Sequence, residues 1–378
     1  MAYDVEYLVI GAGAMGSAAA WHLARRGKAP LLLEQFELNH TKGASHGQTR
    51  NFNPAYPDPT YIALLKEAFT LFRELEADTG VSLLNLVGLI NIAPEVENRS
   101  LQAGSAAGGI TSTLYAPEEA KERWPGWNFA ESALFYPDAG PVRADDSLRA
   151  FHGQIRALGG TILPNTKVTA IDIHDDDAVV HTEERSYRVK RVIVAAGAWS
   201  AKLLGDRLPP LRVTQEQPAH FPLIAPTDEL AWPSFNHRPV DDPTYAYWRS
   251  GIYGLISPGE GLKVGWHAVG REVDPDQRDF LPESEQMKAL QRYVEEWIPG
   301  VDWTQPAPIS CTYTLTEDEN FILDREGPVT IAAGFSGHGF KFTPAIGRVL
   351  ADLAETGTPA PAIFRLGEGR PGVRRQRS

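Results

Sequence analysis

Six residues near the start of the chain, Gly11-Ala12-Gly13-Ala14-Met15-Gly16, constrain its fold more than any other stretch. Their G-x-G-x-x-G spacing is weak alone, because 34 glycines make chance matches common. The flanks supply the context. EYLVIG at 6–11 has the continuous apolar run of a short strand buried on both faces, and Ala14 to Gly27 reads as an alanine-rich helix with a glycine stop. LLLE at 31–34 reads as the next parallel strand. Strand, glycine turn, helix and strand make a βαβ unit that binds a dinucleotide. Gly11 permits the tight turn, Gly13 lets the backbone approach the pyrophosphate, and Gly16 allows close helix packing. The helix N-terminus offers free N–H donors and partial positive charge to the diphosphate. Glu34 ends the second strand, where it can accept from a ribose diol and disfavour a 2′-phosphate. The bland alternative is a structural glycine turn, and the motif does not separate FAD from NAD.

The 378-residue length suggests two domains, or one large domain with an insertion. From Pro57 to Glu76 the spacing of Tyr61, Leu64, Leu65, Ala68, Leu71 and Phe72 predicts an amphipathic helix. A mixed segment runs on to about residue 150. Between 162 and 197 the pattern turns to short strands around the polar hairpin HDDDAVVHTEE, ending in the apolar run VIVAAG. Residues 205–275, rich in Pro, Trp and Tyr, alternate like antiparallel strands. Ser284 to Trp297 reads as a helix, VTIAAG at 329–334 as a last buried strand, and Pro344 to Thr356 as a helix. Nucleotide-type segments therefore recur at the start, middle and end. The expected fold is α/β (α+β): a discontinuous Rossmann-type FAD-binding domain over 1–80, 151–210 and 318–378. An interleaved, mainly antiparallel-sheet substrate domain occupies 81–150 and 211–317.

The formal net charge of −12 leaves no global basic field for nucleic acid or an anionic membrane. The first apolar stretch is too short and too glycine-broken to span a bilayer, so a cytoplasmic protein is expected, with no nucleic-acid or membrane partner. One cysteine excludes an internal disulfide and any multi-cysteine zinc site, and no metal is expected. Cys311 is either an inert core residue or one singled out for chemistry.

Several side chains gather by strand periodicity. In GLKVGWHA a period of two puts Lys263, Gly265 and His267 on one face, and Cys311 shares a face with Tyr313. A surface lysine and a structural histidine are the bland readings. FSGHGFK, with His338 and Lys341, follows the last strand where open α/β sheets bind ligands. The polar, glycine-rich loop Gly43-Ala-Ser-His-Gly-Gln-Thr-Arg50 is of a kind that can lie along a flavin, or else a solvated surface loop.

With SHGQTR, GLKVGWH, CTYTLTEDENFILD at 311–324 and AAGFSGHGFKF at 332–342, in that order, the chain resembles the monomeric sarcosine oxidase family. That family of FAD-dependent amine oxidases includes N-methyltryptophan and fructosyl amino acid oxidases. The resemblance spans nearly the whole chain. It implies FAD tethered by a thioether to Cys311, in a cofactor site that also takes Ser45, His46, Thr49, Gly197 and Gly339. It implies Tyr313 lining the substrate cavity, Lys263 beside the flavin for reaction with oxygen, Arg50 near the ring and His267 in the active site. Gly337 matches the glycine whose carbonyl faces the substrate amine, and Lys341 a carboxylate-binding lysine. The reaction implied is oxidation of the C–N bond of a secondary amine to an imine that hydrolyses, with O2 reduced to H2O2, in a monomer.

One position departs. Sarcosine-type members carry a second arginine three residues after the first, and here that residue is Asn53. Losing an arginine fork weakens the smallest substrate most, which favours a fructosyl amino acid with Asn53 contacting its hydroxyls. The alternative is an N-methyl amino acid oxidase in which another arginine, such as Arg249, replaces the clamp. A flavin dehydrogenase with an acceptor other than oxygen would share every cofactor motif.

Overall fold

The structure, a computed structural model, describes residues 3–224, 232–238 and 242–367; the basic tail VRRQRS lies outside them. Two eight-stranded sheets dominate it. The first is ordered 322–326, 329–333, 186–194, 5–10, 31–33 and 161–163, with 178–182 and 168–173 branching off the long strand 186–194. Its centre is parallel, Val5–Ile10 lying between Ser186–Val194 and Leu31–Leu33. Tyr7 and Val9 pack into one core while Leu8 and Ile10 pack into another, which is why this strand reads as an unbroken apolar run.

Helices Ala14–Arg25, Pro59–Thr79, Ala144–Ala157 and Thr343–Thr356 cover one face. Ala14–Arg25 lies so deep that almost every residue is buried, with Trp21 fully enclosed. Pro59–Thr79 starts at Asp58, whose carboxylate accepts from the Thr60 N–H at 2.7 Å, and ends at Gly80 in the left-handed region. Its apolar stripe is the one the sequence spacing predicts, displaced by two or three residues at the ends.

The second sheet is ordered 307–308, 219–221, 261–266, 252–257, 234–237, 89–93, 132–136 and 113–115. Its pairings are antiparallel except that Ser234–His237 runs parallel to Leu89–Ala93. Helix Ser284–Trp297 packs its Tyr293 and Trp297 against one face together with Trp248 and Trp266. A three-stranded sheet, 271–272, 212–216 and 311–315, and a two-stranded one, 49–52 with 140–143, lie between.

Candidate active site

A cavity of about 930 Å3 runs from the glycine turn to the second sheet. Its first end is built by the βαβ unit. Gly11 has φ +99°, and a side chain there would strike the Ala195 carbonyl at 2.5 Å. A Cβ on Gly16 would come within 1.9 Å of the Gly11 carbonyl, so strand and helix meet as closely as backbone allows. Glu34 is buried and lines the cavity; its Oε2 accepts from the Ala12 N–H at 2.8 Å and its Oε1 from the Phe36 N–H at 3.0 Å. Ser45 Oγ accepts from the Ala14 N–H at 3.0 Å, folding the polar loop over the first helix N-terminus. Gly197, with φ +53°, and Gly339 line the same space.

The middle of the cavity gathers cations. The Thr49 carbonyl accepts from Lys263 Nζ at 2.6 Å and from Arg50 Nη1 at 2.9 Å, so two positive groups converge on one oxygen. Arg50 Nη2 also donates to the Ala44 carbonyl at 2.9 Å and to the His46 carbonyl. Burial, then the charge of Arg50, lowers the Lys263 ammonium to about 7. His46 is lowered to about 4, chiefly by burial, while its Nδ1 bonds the Gly43 carbonyl at 3.0 Å. Lys341 donates to the Tyr56 hydroxyl and to the His338 carbonyl, both at 2.9 Å, and burial lowers it to about 7. Among the described residues no carboxylate forms an ion pair with Arg50, Lys263 or Lys341.

Tyr313 and His267 face each other with ring centroids 5.4 Å apart, and burial lowers the imidazole below its ordinary range. Gly337, at φ +77°, lies so near Tyr313 that a Cβ would fall 2.2 Å from the ring. Cys311 is half-buried on the cavity wall, its Sγ 4.0 Å from the Ala44 carbonyl.

Two expectations change. SHGQTR is not all loop, because Thr49–Phe52 is a strand paired with Gly140–Arg143. The Thr49 side chain is consequently buried in a 2.7 Å hydrogen bond to Ser257 and does not line the cavity; its carbonyl is the part that matters. Arg249 is exposed and outside the cavity wall, so it does not stand in for the missing arginine. Asn53 lines the cavity, but its Oδ1 is committed to a turn, accepting from the Ala55 N–H at 2.8 Å.

Some lining residues carry no sequence signal. Tyr56 holds Lys341 and Tyr253 stands beside Tyr313, yet neither lies in a motif. Asn91 and Asn236 come from strands far apart in the chain.

The chain matches the model of the DAO family, FAD dependent oxidoreductases, over residues 6–353. It belongs to that family. Monomeric sarcosine oxidase of Bacillus sp. (strain B-0618) is 33% identical over 389 residues, covering 99% of this chain and 98% of that protein. N-methyl-L-tryptophan oxidase of Yersinia pestis (strain Pestoides F) is 28% identical over 368 residues, covering 95% and 96%. Among solved structures, NikD, an unusual amino acid oxidase, matches with a TM-score of 0.82 at 24% identity over 96% of each chain. The fructosyl amine:oxygen oxidoreductase Amadoriase I of Aspergillus fumigatus matches with a TM-score of 0.74 at 18% identity, over 97% of this chain and 90% of that one. The last two show a shared fold alone. This DAO-family member is thus an FAD-dependent oxidoreductase of the sarcosine oxidase type, with sequence similarity favouring the N-methyl alternative over the fructosyl expectation. Among the described residues no helix is long and apolar enough to cross a membrane.

Proposed function

We propose that this chain oxidises the C–N bond of N-methyl α-amino acids, as a monomer, with O2 as acceptor and the flavin tethered through Cys311. The observation that carries the substrate class is that Arg50, Lys263 and Lys341 line the cavity with no carboxylate paired to them among the described residues, Lys341 being buried. A buried ammonium is costly unless an anion meets it. A substrate carboxylate supplies that anion.

The glycine turn, Glu34 and Ser45 fit the ADP half of FAD: they line one end of the cavity, where Gly11 and Gly16 let strand and helix close without side chains that would strike backbone. When bound, FAD supplies the two-electron acceptor. The chain's own residues do the rest. Lys341 fixes the carboxylate and thereby the α-nitrogen. Tyr313 walls the site, Gly337 leaves room beside it, and His267, its imidazole pushed below the ordinary range by burial, offers a ring nitrogen to an amine proton. Lys263 and Arg50 provide positive charge where oxygen reduction develops negative charge. Residues 1–80, 151–210 and 318–378 form the FAD-binding part in this reading, with 81–150 and 211–317 as the substrate part.

The experiment is a peroxide assay of the FAD-loaded enzyme on sarcosine, N-methyl-L-alanine, larger N-methyl amino acids and fructosyl-valine. Peroxide from the N-methyl series at a kcat/KM at least tenfold above fructosyl-valine supports the proposal. Preference for the fructosyl compound reverses it. Reduction of the flavin without oxygen uptake assigns a dehydrogenase instead.

A further inference from the structure

The second sheet turns an unusual row toward the cavity. Gly265 pairs with Tyr253, Tyr253 with Asn236, and Asn236 with Asn91, so the four lie side by side across three strand pairings. Residues directly opposite in neighbouring strands share a face. Tyr253, Asn236 and Asn91 all line the cavity. Gly265 makes space for the tyrosine, since a Cβ there would come within 2.9 Å of its hydroxyl.

Two asparagines in central strands run against strand propensity. Asn91 is also nine-tenths buried, at 4% exposure. Its Nδ2 donates to Asn98 Oδ1 at 2.8 Å, and Asn98 is itself fully enclosed and gripped by Ser132 Oγ at 2.9 Å and by the Asn91, Ala93 and Ser132 carbonyls. The amide plane of Asn91 is therefore fixed. Its Oδ1 has no protein donor among the described residues, and the Asn236 side chain makes no hydrogen bond there at all. Asn53 adds a third amide, whose Nδ2 is left over after its Oδ1 closes the turn. Arg238, exposed and also on the cavity wall, pairs with Glu97 at 3.5 Å.

An amide oxygen that lines a cavity without a protein donor is met by a ligand that brings the donor and left unpaired by one that does not. We propose that Asn91, Asn236 and Asn53 form a side-chain subsite, and that the preferred substrate is an N-methyl α-amino acid whose side chain ends in a hydrogen-bond donor such as a carboxamide. This rests on the reading of Lys341 as the carboxylate anchor. An apolar isostere leaves the amides unpaired, which is how a polar site rejects an analogue of the same shape.

The test separates the subsite from the oxidase reading by using ligands that cannot be oxidised. Succinamate and 4-methylpentanoate, the carboxylate skeletons of asparagine and leucine, are titrated into the FAD-loaded enzyme and followed by the flavin absorption. The ratio of their dissociation constants is expected to favour succinamate, and to shift at least tenfold toward 4-methylpentanoate in Asn236→Leu. Asn91→Leu is expected to do the same, and Asn236→Leu keeps the test decisive should the first variant fail to fold without the Asn98 contact. An unchanged ratio in Asn236→Leu, or preference of the unmodified enzyme for 4-methylpentanoate, overturns the subsite. Failure of the oxidase reading shows separately, as absence of peroxide from every N-methyl amino acid while the two carboxylates still bind.

Discussion

At the scale of single residues, Lys341, Lys263 and Arg50 differ in what holds them, and that difference is measurable. Lys341 rests on a hydroxyl and a carbonyl, with a pKa lowered to about 7 by burial alone. A group that binds anions only when protonated loses that ability as pH rises above its pKa. Binding of an amine-free carboxylate to the FAD-loaded enzyme should therefore weaken from pH 7 to pH 9 by up to about tenfold per unit. Lys341→Met should bind weakly and flatten the profile; a variant that keeps the slope moves the titration to another group. Lys263 shares its carbonyl with Arg50, which concentrates charge at one point. A fixed cation about 4 Å from developing negative charge is worth roughly 4 kcal/mol at an effective dielectric of about 20, or about three decades in rate. Lys263→Met should slow reoxidation by oxygen by orders of magnitude and flavin reduction far less, and stopped-flow traces with equal reoxidation would contradict this. Cys311 lies on the cavity wall with Arg278 holding its neighbour Ser310 at 2.7 Å. Acid-precipitated protein should stay yellow while Cys311→Ser releases its flavin; free loss from the unmodified protein argues against a tether.

At the scale of elements, the βαβ unit was legible because every level agrees: apolar run, glycine spacing, alanine helix and acidic strand end. Gly16→Ala tests it. The added methyl would fall 1.9 Å from the Gly11 carbonyl, so strand and helix must separate and the phosphate cradle opens. Overpacking of this kind costs about 1–3 kcal/mol. The variant should show a lower melting temperature and substoichiometric flavin, and full flavin occupancy would mean that the close approach is dispensable. Other segments gave weaker signals. Glu95–Ala107 is a helix whose described buried positions are the polar Asn98 and Ser105, an inversion of the pattern that marks amphipathic helices. Its Asn98 accepts from the Asn91 amide, and nothing local announces that contact. The strand Thr49–Phe52 is hidden for a related reason: a glycine-rich polar stretch masks the short strand that Gly140–Arg143 pairs with across the fold. Lys263, Tyr313 and Cys311 were legible because they sit in strands whose period of two survives in sequence. Asn236 and Asn91 were not, since only cross-strand register unites residues separated by more than a hundred positions.

At the scale of the whole molecule, burial of imidazoles sets how stability answers to acid. His22, His237 and His338 are lowered to about 3, and His46, His152 and His220 to about 4, with burial the largest cause in each. Unfolded histidine titrates near 6.5. Between pH 6.5 and about 4 the unfolded chain therefore binds protons that the folded chain does not, and stability falls as pH falls through that window. The carboxylates act lower: Asp279, held at about 2 chiefly by its hydrogen bond from Gln215, contributes stability that is lost only below its unfolded value. His237 isolates the histidine effect best, since burial is the sole cause of its shift and it is enclosed by Trp248, Tyr293 and Trp297. His237→Phe removes one group that must stay neutral to fold. It also strips the Tyr293 hydroxyl of its 2.9 Å partner, so the variant should be less stable at pH 7. Its stability should nevertheless fall less steeply on acidification, by about 1.4 kcal/mol per pH unit below pH 6. Denaturant unfolding at pH 7, 6 and 5 reads both effects together, and parallel pH profiles for the two proteins would show that His237 does not resist protonation in the folded state.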